Sequence, residues 1–349
     1  MMKKSRLITI LLLVTALFLA ACSSAPTKTE NVSGNNGSDT DGKESYVIKV
    51  GHAASQDHFA HASIEKFKDL VEANSDGKIT VEIYPNGQLG GEREMVEAIQ
   101  LGNLTMAFPS SAVLVSFSKD MAIWDTPYLF KDAETAHRVL DGEIGQEVLD
   151  SLSEKGIKGL AYWENGFRHL TNNKHAISSV DDMKGLKIRT LESPIQIKAW
   201  SSTGANATPI AFTELYAALQ QKTVDAQETP LSLMYSMKFF EVQNQLSLTG
   251  HLYSPWPVII SQQFYNDLPE NLQKVVSEAV IEVRSYNRQL SKDDEAKALD
   301  LLKAEGMTVT ELTDAQRNGF KEAMSSVYAD IEADVGEELF DKLMKEVEK

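Results

Sequence analysis

The sequence has almost no cysteine and fewer basic than acidic residues. Cys22 is the only cysteine among 349 residues, which excludes an intramolecular disulfide and any metal site built from several cysteines. Lysine and arginine number 34 against 50 acidic residues, so the formal net charge is −16. Because a chain this acidic repels phosphate backbones, we expect no nucleic-acid partner.

Motifs of several enzyme classes are also missing. The glycines of residues 87–91 form no phosphate-binding loop, and no G-x-S-x-G nucleophile motif occurs. His52, His58 and His61 match no zinc-binding spacing, so we expect neither a metal nor a cofactor. A secreted hydrolase using Asp57 and His58 is an alternative, but no third group at triad spacing supports it.

The N-terminus carries a targeting signal. Basic residues precede an apolar run over residues 7–21, which is short for a permanent membrane helix. Residues 19–22 (LAAC) resemble a bacterial lipoprotein box, so we predict that residues 1–22 are a signal peptide and that Cys22 is lipidated. An ordinary secretory signal is the alternative. The polar residues 23–45 predict a flexible tether, which suits a protein on the outer face of the cell membrane.

The remainder predicts an α/β protein of two domains, with enough apolar residues, 42% of the whole chain, for a core. Alternation predicts strands over 46–50, 79–84, 157–163 and 186–189, and the apolar spacing predicts helices over 59–74 and 95–101. Residues 106–108 form a short apolar segment. From Leu268 to Gly306 apolar residues recur at helical spacing, which predicts one long helix that could brace two lobes.

Two arginines are candidate ligand-binding residues. Arg189 lies at the carboxyl end of a predicted strand, and Arg168 follows the predicted strand that ends at Trp163. Ligands of open α/β sheets bind at this edge, so both side chains can point into one cleft. A guanidinium matches a carboxylate in a planar two-point contact, whereas surface salt bridges are the ordinary alternative.

Several ordered motifs resemble those of the substrate-binding proteins of TRAP (tripartite ATP-independent periplasmic) transporters, DctP type. The resemblance extends over residues 46–349. Its motifs are residues 84–93 (YPNGQLGGER), 163–168 (WENGFR), 183–189 (MKGLKIR), 209–220 (PIAFTELYAALQ), 224–230 (VDAQETP), 238–243 (KFFEVQ) and 268–270 (LPE).

The resemblance implies a two-lobed, periplasmic-binding-protein-like fold with a long helix bracing both lobes. By motif, lobe one comprises 46–166 plus 255–294, and lobe two comprises 167–254 plus 295–349. It also implies a monomer without catalytic activity that delivers an organic acid to the small and large membrane subunits of a permease. A binding subunit of a sensory system would have the same fold.

The resemblance also assigns residues to the ligand. Arg189 occupies the position of the carboxylate-clamping arginine and Arg168 that of a second arginine, while Phe212 is the aromatic beneath the ligand. Thr229 replaces an asparagine common in the family and can donate only a hydroxyl hydrogen bond. Ser110 and Val113 replace the glutamate and arginine of sialic-acid-binding members, which disfavours sialic acid. The further candidate pocket residues are His52, Asp57, Glu92, Trp163, Glu192 and Trp256.

The chemical class of the ligand stays open between two alternatives. Polar groups and aromatic faces suit a hydroxylated ligand such as a sugar acid. A C4-dicarboxylate would need a second cation, which Arg168 could provide.

Overall fold

Two very long antiparallel strands join the parts of a mixed sheet. The computed structural model describes residues 45–349, so the predicted signal peptide, Cys22 and almost all of the tether lie outside the described residues. The strands are β1 Tyr46–Gly51, β2 Ile79–Tyr84, β3 Met106–Ala107, β4 Ile157–Asn172, β5 Lys187–Thr190, β6 Asn206–Pro209, β7 Ala226–Thr229, β8 Gln245–Ser261 and β9 Thr308–Glu311.

Thirteen α-helices surround this sheet within the described residues. They are α1 Phe59–Asn74, α2 Glu92–Gln100, α3 Ser111–Leu114, α4 Ala133–Leu140, α5 Glu143–Asp150, α6 Pro194–Ser202, α7 Phe212–Gln220, α8 Leu231–Ser236, α9 Gln262–Asp267, α10 Glu270–Ala304, α11 Asp314–Met324, α12 Tyr328–Val335 and α13 Glu337–Val347. None of the helices in residues 45–349 combines the length and apolar character needed to cross a membrane.

The strand order is β2-β1-β3-β8-β4-β7-β5-β6, with β9 paired to β8. The β1/β2, β1/β3, β5/β6, β5/β7 and β8/β9 pairs are parallel, as expected for α/β units. The antiparallel β4/β8 pair runs from Ile157 opposite Ser261 to Asn172 opposite Gln245, and three irregularities interrupt its register. One end of this pair adjoins β3 and the other adjoins β7 and β9, so β4 and β8 cross from one part of the sheet to the other.

The long helix α10 has 35 residues, which corresponds to a length of roughly 52 Å, and it packs against α1, β4 and α8. Its buried Asn287 accepts a hydrogen bond from the backbone N–H of Glu164 (2.7 Å) and donates one to Ser63 Oγ (3.1 Å). Asn287 thus ties α10 to β4 and α1 through buried polar groups, which are costly to leave unpaired. The prediction of one long helix is confirmed.

A second, smaller apolar core lies around β5, α6, α11 and α12, and its members include Ile188, Trp200, Phe320 and Ile331. The larger core extends from β1, β2 and α1 along α10 and across β4 and β8 to α7 and α8. The mixed sheet with helices packed around it agrees with the predicted α/β fold class.

The predicted strands over 46–50 and 79–84 and the predicted helix over 59–74 are confirmed. The prediction of a strand ending at Trp163 is wrong, because β4 continues to Asn172. A glycine inside a strand pattern indicates that the strand ends there, and Gly166 has a φ of +115°. It lies instead at an irregularity in the β4/β8 register, and β4 continues past it. Arg168 therefore lies inside a strand rather than after one.

Candidate functional site

A narrow cavity lies beside the middle of the antiparallel β4/β8 pair. Its volume is about 20 Å³, which is room for about one water molecule. An acid of six or more heavy atoms therefore enters only if the walls move apart. The lining residues are His52, Ala53, Ala54, Ala60, Ile64, Glu92, Phe108, Ser110, Trp163, Asn165, Arg168, Leu191, Phe212, Thr229, Leu233 and Trp256.

A β-bulge in β4 brings its polar residues to one side of the strand. Glu164 pairs with Pro255 and Gly166 with Ser254, so Asn165 is an extra residue without an opposite partner. In a regular strand Trp163 and Arg168 would point to opposite faces. The extra residue reverses this alternation, and Trp163, Asn165 and Arg168 all line the cavity.

Arg168 is held by a buried carboxylate. Its Nε lies 2.5 Å from Glu228 Oε2, and its Nη2 donates to Glu228 Oε1 (2.9 Å) and to the Glu228 carbonyl (2.7 Å). Burial alone would raise the pKa of Glu228, but the charge of Arg168 and the hydrogen bonds from Arg168 and His251 lower it to about 2. The ion pair is therefore intact at neutral pH, and Glu228 neutralises Arg168.

His251 completes this ion pair as a neutral donor. Burial lowers the pKa of His251, so the ring is uncharged at neutral pH. Because ionised Glu228 can only accept, the proton is on Nε2, which lies 3.0 Å from Glu228 Oε2. The other ring nitrogen, Nδ1, lies 2.8 Å from Thr249 Oγ1 and accepts its hydrogen bond.

Arg189 is buried without a carboxylate partner. Its Nε donates to the carbonyl oxygen of Ile210 (2.8 Å), whereas Nη1 and Nη2 contact no hydrogen-bond acceptor in the part of the chain that the structure describes. Its guanidinium carbon lies 5.9 Å from the ring centre of Phe212, which lines the cavity, whereas Arg189 itself does not. Burial lowers the pKa of Arg189 to about 10, so the group stays charged at neutral pH.

Glu92 lies at the start of α2, and Ser110 Oγ donates a hydrogen bond to its Oε1 (3.3 Å). Burial raises the pKa of Glu92, while Ser110, Arg189 and Arg168 act in the opposite direction. His52 Nε2 lies 3.0 Å from His61 Nδ1, and burial together with the charge of His61 lowers the pKa of His52 to about 3. His52 is therefore neutral.

The structure brings most of the predicted residues together. Arg189 alone among the eight predicted binding residues does not line the cavity; those that line it are Arg168, Phe212, Thr229, His52, Glu92, Ser110 and Trp256. Trp163 also lines it and donates through Nε1 to the carbonyl of Val280. Asp57 lies exposed just before α1, and Glu192 lies half-buried between β5 and α6, where its charge acts on Arg189; neither lines the cavity.

Sequence reasoning missed Asn165, Glu228 and Phe108. The first two lie inside motifs already singled out, but their roles depend on the β4 bulge and on the pairing of β4 with β7. Phe108 packs face to face on Trp163, with ring centres 4.7 Å apart. The Asn165-Gly166 dipeptide in a strand is the one local signal of a bulge.

The buried pair gives a stability prediction. We expect Arg168→Met to lower the free energy of unfolding by about 3–5 kcal/mol, because Glu228 would stay ionised and buried. Adding Glu228→Gln should recover at least half of this loss, since the buried charge disappears. Urea unfolding measures both variants.

The exposed pair of Arg138 and Glu346 is the matched control. Arg138→Met, alone and together with Glu346→Gln, should change the free energy of unfolding by less than about 1 kcal/mol. If the effects of Arg168→Met and Glu228→Gln simply add, the pair is not the coupled unit described here.

Comparison with known proteins identifies the family. Residues 50–334 match the family model described as "Bacterial extracellular solute-binding protein, family 7". The 2,3-diketo-L-gulonate-binding periplasmic protein YiaO of Escherichia coli is 37% identical over 284 residues, which cover 81% of this chain and 86% of that protein.

Two solved structures are similar throughout the folded part. The sugar acid binding protein DctPAm of Advenella mimigardefordensis, in complex with galactonate, has a TM-score of 0.85 at 33% identity and covers 87% of this chain and 98% of its own. A TRAP periplasmic solute-binding protein of Sulfurospirillum deleyianum with bound succinate has a TM-score of 0.81 at 36% identity. The match covers 85% of this chain and 98% of that chain.

Proteins of this family are extracytoplasmic binding proteins that work with TRAP permease subunits. The family model spans most of the chain, and relatives above 30% identity cover more than four-fifths of it. The chain belongs to family 7 of the bacterial extracellular solute-binding proteins, the substrate-binding proteins of TRAP transporters.

Proposed function

We propose that the cavity binds a small organic acid whose carboxylate is held by Arg189, and that the protein delivers this acid to a TRAP permease without altering it. The observation that carries the proposal is the buried guanidinium, two of whose nitrogens have no acceptor within the part of the chain that the structure describes. An unpaired buried charge is costly, and a carboxylate matches the two free nitrogens in a planar contact. Relatives that bind galactonate and succinate support an acid as ligand.

The proposed ligand site lies between two lobes with the predicted boundaries. His52, Glu92, Ser110 and Trp256 would belong to lobe one, whereas Arg168, Phe212 and Thr229 would belong to lobe two. A cavity this narrow fits a closed form that opens by hinge bending to admit the acid. Arg189 would also belong to lobe two, so it would move together with Phe212 when the lobes part.

The hydrolase alternative has less support. His58 accepts the N–H of Ala60 at the start of α1, and its Nε2 lies 3.2 Å from Ser232 Oγ. Within residues 45–349 Asp57 forms no hydrogen bond to His58, although such a bond would be needed to orient a catalytic histidine.

The first test concerns the proposed contact between Arg189 and the ligand carboxylate. We expect Arg189→Met to weaken binding of galactonate or succinate, whichever the wild type binds, by at least a hundredfold, or roughly 3 kcal/mol. Arg189→Lys should restore only part of the lost affinity, because an ammonium makes no planar two-point contact. Calorimetric titration measures both variants, with the surface variant Arg138→Met as control.

Arg189→Met should not lower the free energy of unfolding of the ligand-free protein, since it removes an unpaired buried charge while roughly keeping the side-chain volume. Near wild-type affinity in a folded Arg189→Met variant would contradict the proposed site. Strong destabilisation without ligand would give Arg189 a structural role instead.

We also propose that Cys22 is lipidated and that it anchors the protein to the outer face of the cell membrane. The LAAC sequence at residues 19–22 supports this proposal. Cys22→Ser should move the protein from the membrane fraction to the medium, because the anchor is lost. Ser23→Ala is the control and should stay bound; a Cys22→Ser variant that also stays bound would indicate a retained membrane helix.

A further inference from the structure

Four polar side chains of the cavity wall carry a buried atom without a hydrogen-bond partner among residues 45–349. These atoms are His52 Nδ1, Glu92 Oε2, Asn165 Oδ1 and Trp256 Nε1. Buried polar atoms are nearly always hydrogen-bonded, and each one left unpaired costs free energy. Since all four belong to one cavity, a ligand in that cavity can satisfy them together.

The chemistry of these atoms constrains the ligand. When Glu92 is ionised, its second oxygen needs a donor, because Ser110 already donates to Oε1 and a carboxylate only accepts. Trp256 Nε1 needs an acceptor, since an indole nitrogen only donates. A hydroxyl group is both donor and acceptor, so a ligand with several hydroxyl groups can satisfy both kinds of atom. Succinate carries no hydroxyl group to donate to Glu92.

The balance of charge also favours a ligand with a single carboxylate. Glu228 neutralises Arg168 and occupies its Nε and Nη2, so Arg168 is not the free second cation that a dicarboxylate would need. His52 and His58 are neutral, because burial lowers the pKa of each to about 3. Of the arginines Arg168 and Arg189, only Arg189 lacks a carboxylate partner among the described residues. One ligand carboxylate is compensated, and a second would face Glu92 without a cation.

We infer that the site selects an acid with one carboxylate and several hydroxyl groups, a sugar acid of the aldonate type, over a plain dicarboxylate. Glu92 is the specificity-determining residue, because it accepts a hydrogen bond from a ligand hydroxyl and repels a second carboxylate. The inference rests on the proposed function, since the first carboxylate must be held at Arg189.

A matched set of acids separates the two features. Butyrate, erythronate, succinate and tartrate have four carbons and differ in the number of carboxylates and the presence of hydroxyl groups. Hexanoate, gluconate, adipate and glucarate repeat the design with six carbons. Calorimetric titration should show erythronate or gluconate binding at least about 100-fold more tightly than the acids without hydroxyl groups. The hydroxylated diacids should bind at least about tenfold more weakly than the hydroxylated monoacids.

Glu92→Gln tests the assigned residue. It keeps the shape of the side chain but removes its charge, so it should weaken the preferred monoacid at least about tenfold and reduce the penalty on tartrate or glucarate. Glu94→Gln is the matched control, because Glu94 lies exposed in the same first turn of α2. This control should leave every ratio of affinities unchanged.

The outcomes distinguish this inference from the proposed function. Succinate or adipate binding as tightly as erythronate or gluconate, or unchanged ratios in Glu92→Gln, would overturn the inference. If Arg189→Met still abolishes that binding, the proposed function stands. Failure of all eight acids to bind would contradict the proposed function, and the inference would fall with it.

Discussion

The buried, unpaired guanidinium of Arg189 is the constraint on which the site depends. Its Nε is fixed by the carbonyl of Ile210, while its two terminal nitrogens meet no acceptor among the described residues. A charge in this setting is tolerated because nearby Glu228 and Glu92 offset part of its cost and because a ligand anion can supply the rest. The net charge of −16 repels anions at long range, so affinity for an acid must come from such a local, desolvated cation.

The surrounding structure keeps this cation unpaired. Glu228 is the carboxylate whose charge raises the pKa of Arg189 most, but its two oxygens are taken by Arg168 and His251. The ion pair depends in turn on the β4 bulge, which turns Arg168 toward the cavity and next to β7. Strands β4 and β5 thus place one neutralised and one unpaired arginine close enough for their charges to interact. That difference, rather than the number of arginines, determines how many carboxylates the site can hold.

Local pattern was enough to predict much of the fold. The period-2 alternation of β2 and the helical spacing of α1 and α10 appear directly in the sequence, because each element buries one face. The 17-residue β8 was not predicted, since its pairing with β4 depends on residues about 90 positions away. Most of the cavity residues followed from family motifs. The unpaired state of Arg189 and the pairing of Arg168 with Glu228 could not be predicted from the motifs, because they arise from tertiary contacts between separate strands.

A structure of the protein with a bound hydroxylated monoacid tests the central claim most directly. We expect the ligand carboxylate within hydrogen-bond distance of both Nη1 and Nη2 of Arg189, with Glu228 still bound to Arg168. A carboxylate held elsewhere, with the terminal nitrogens of Arg189 still without an acceptor, would contradict it.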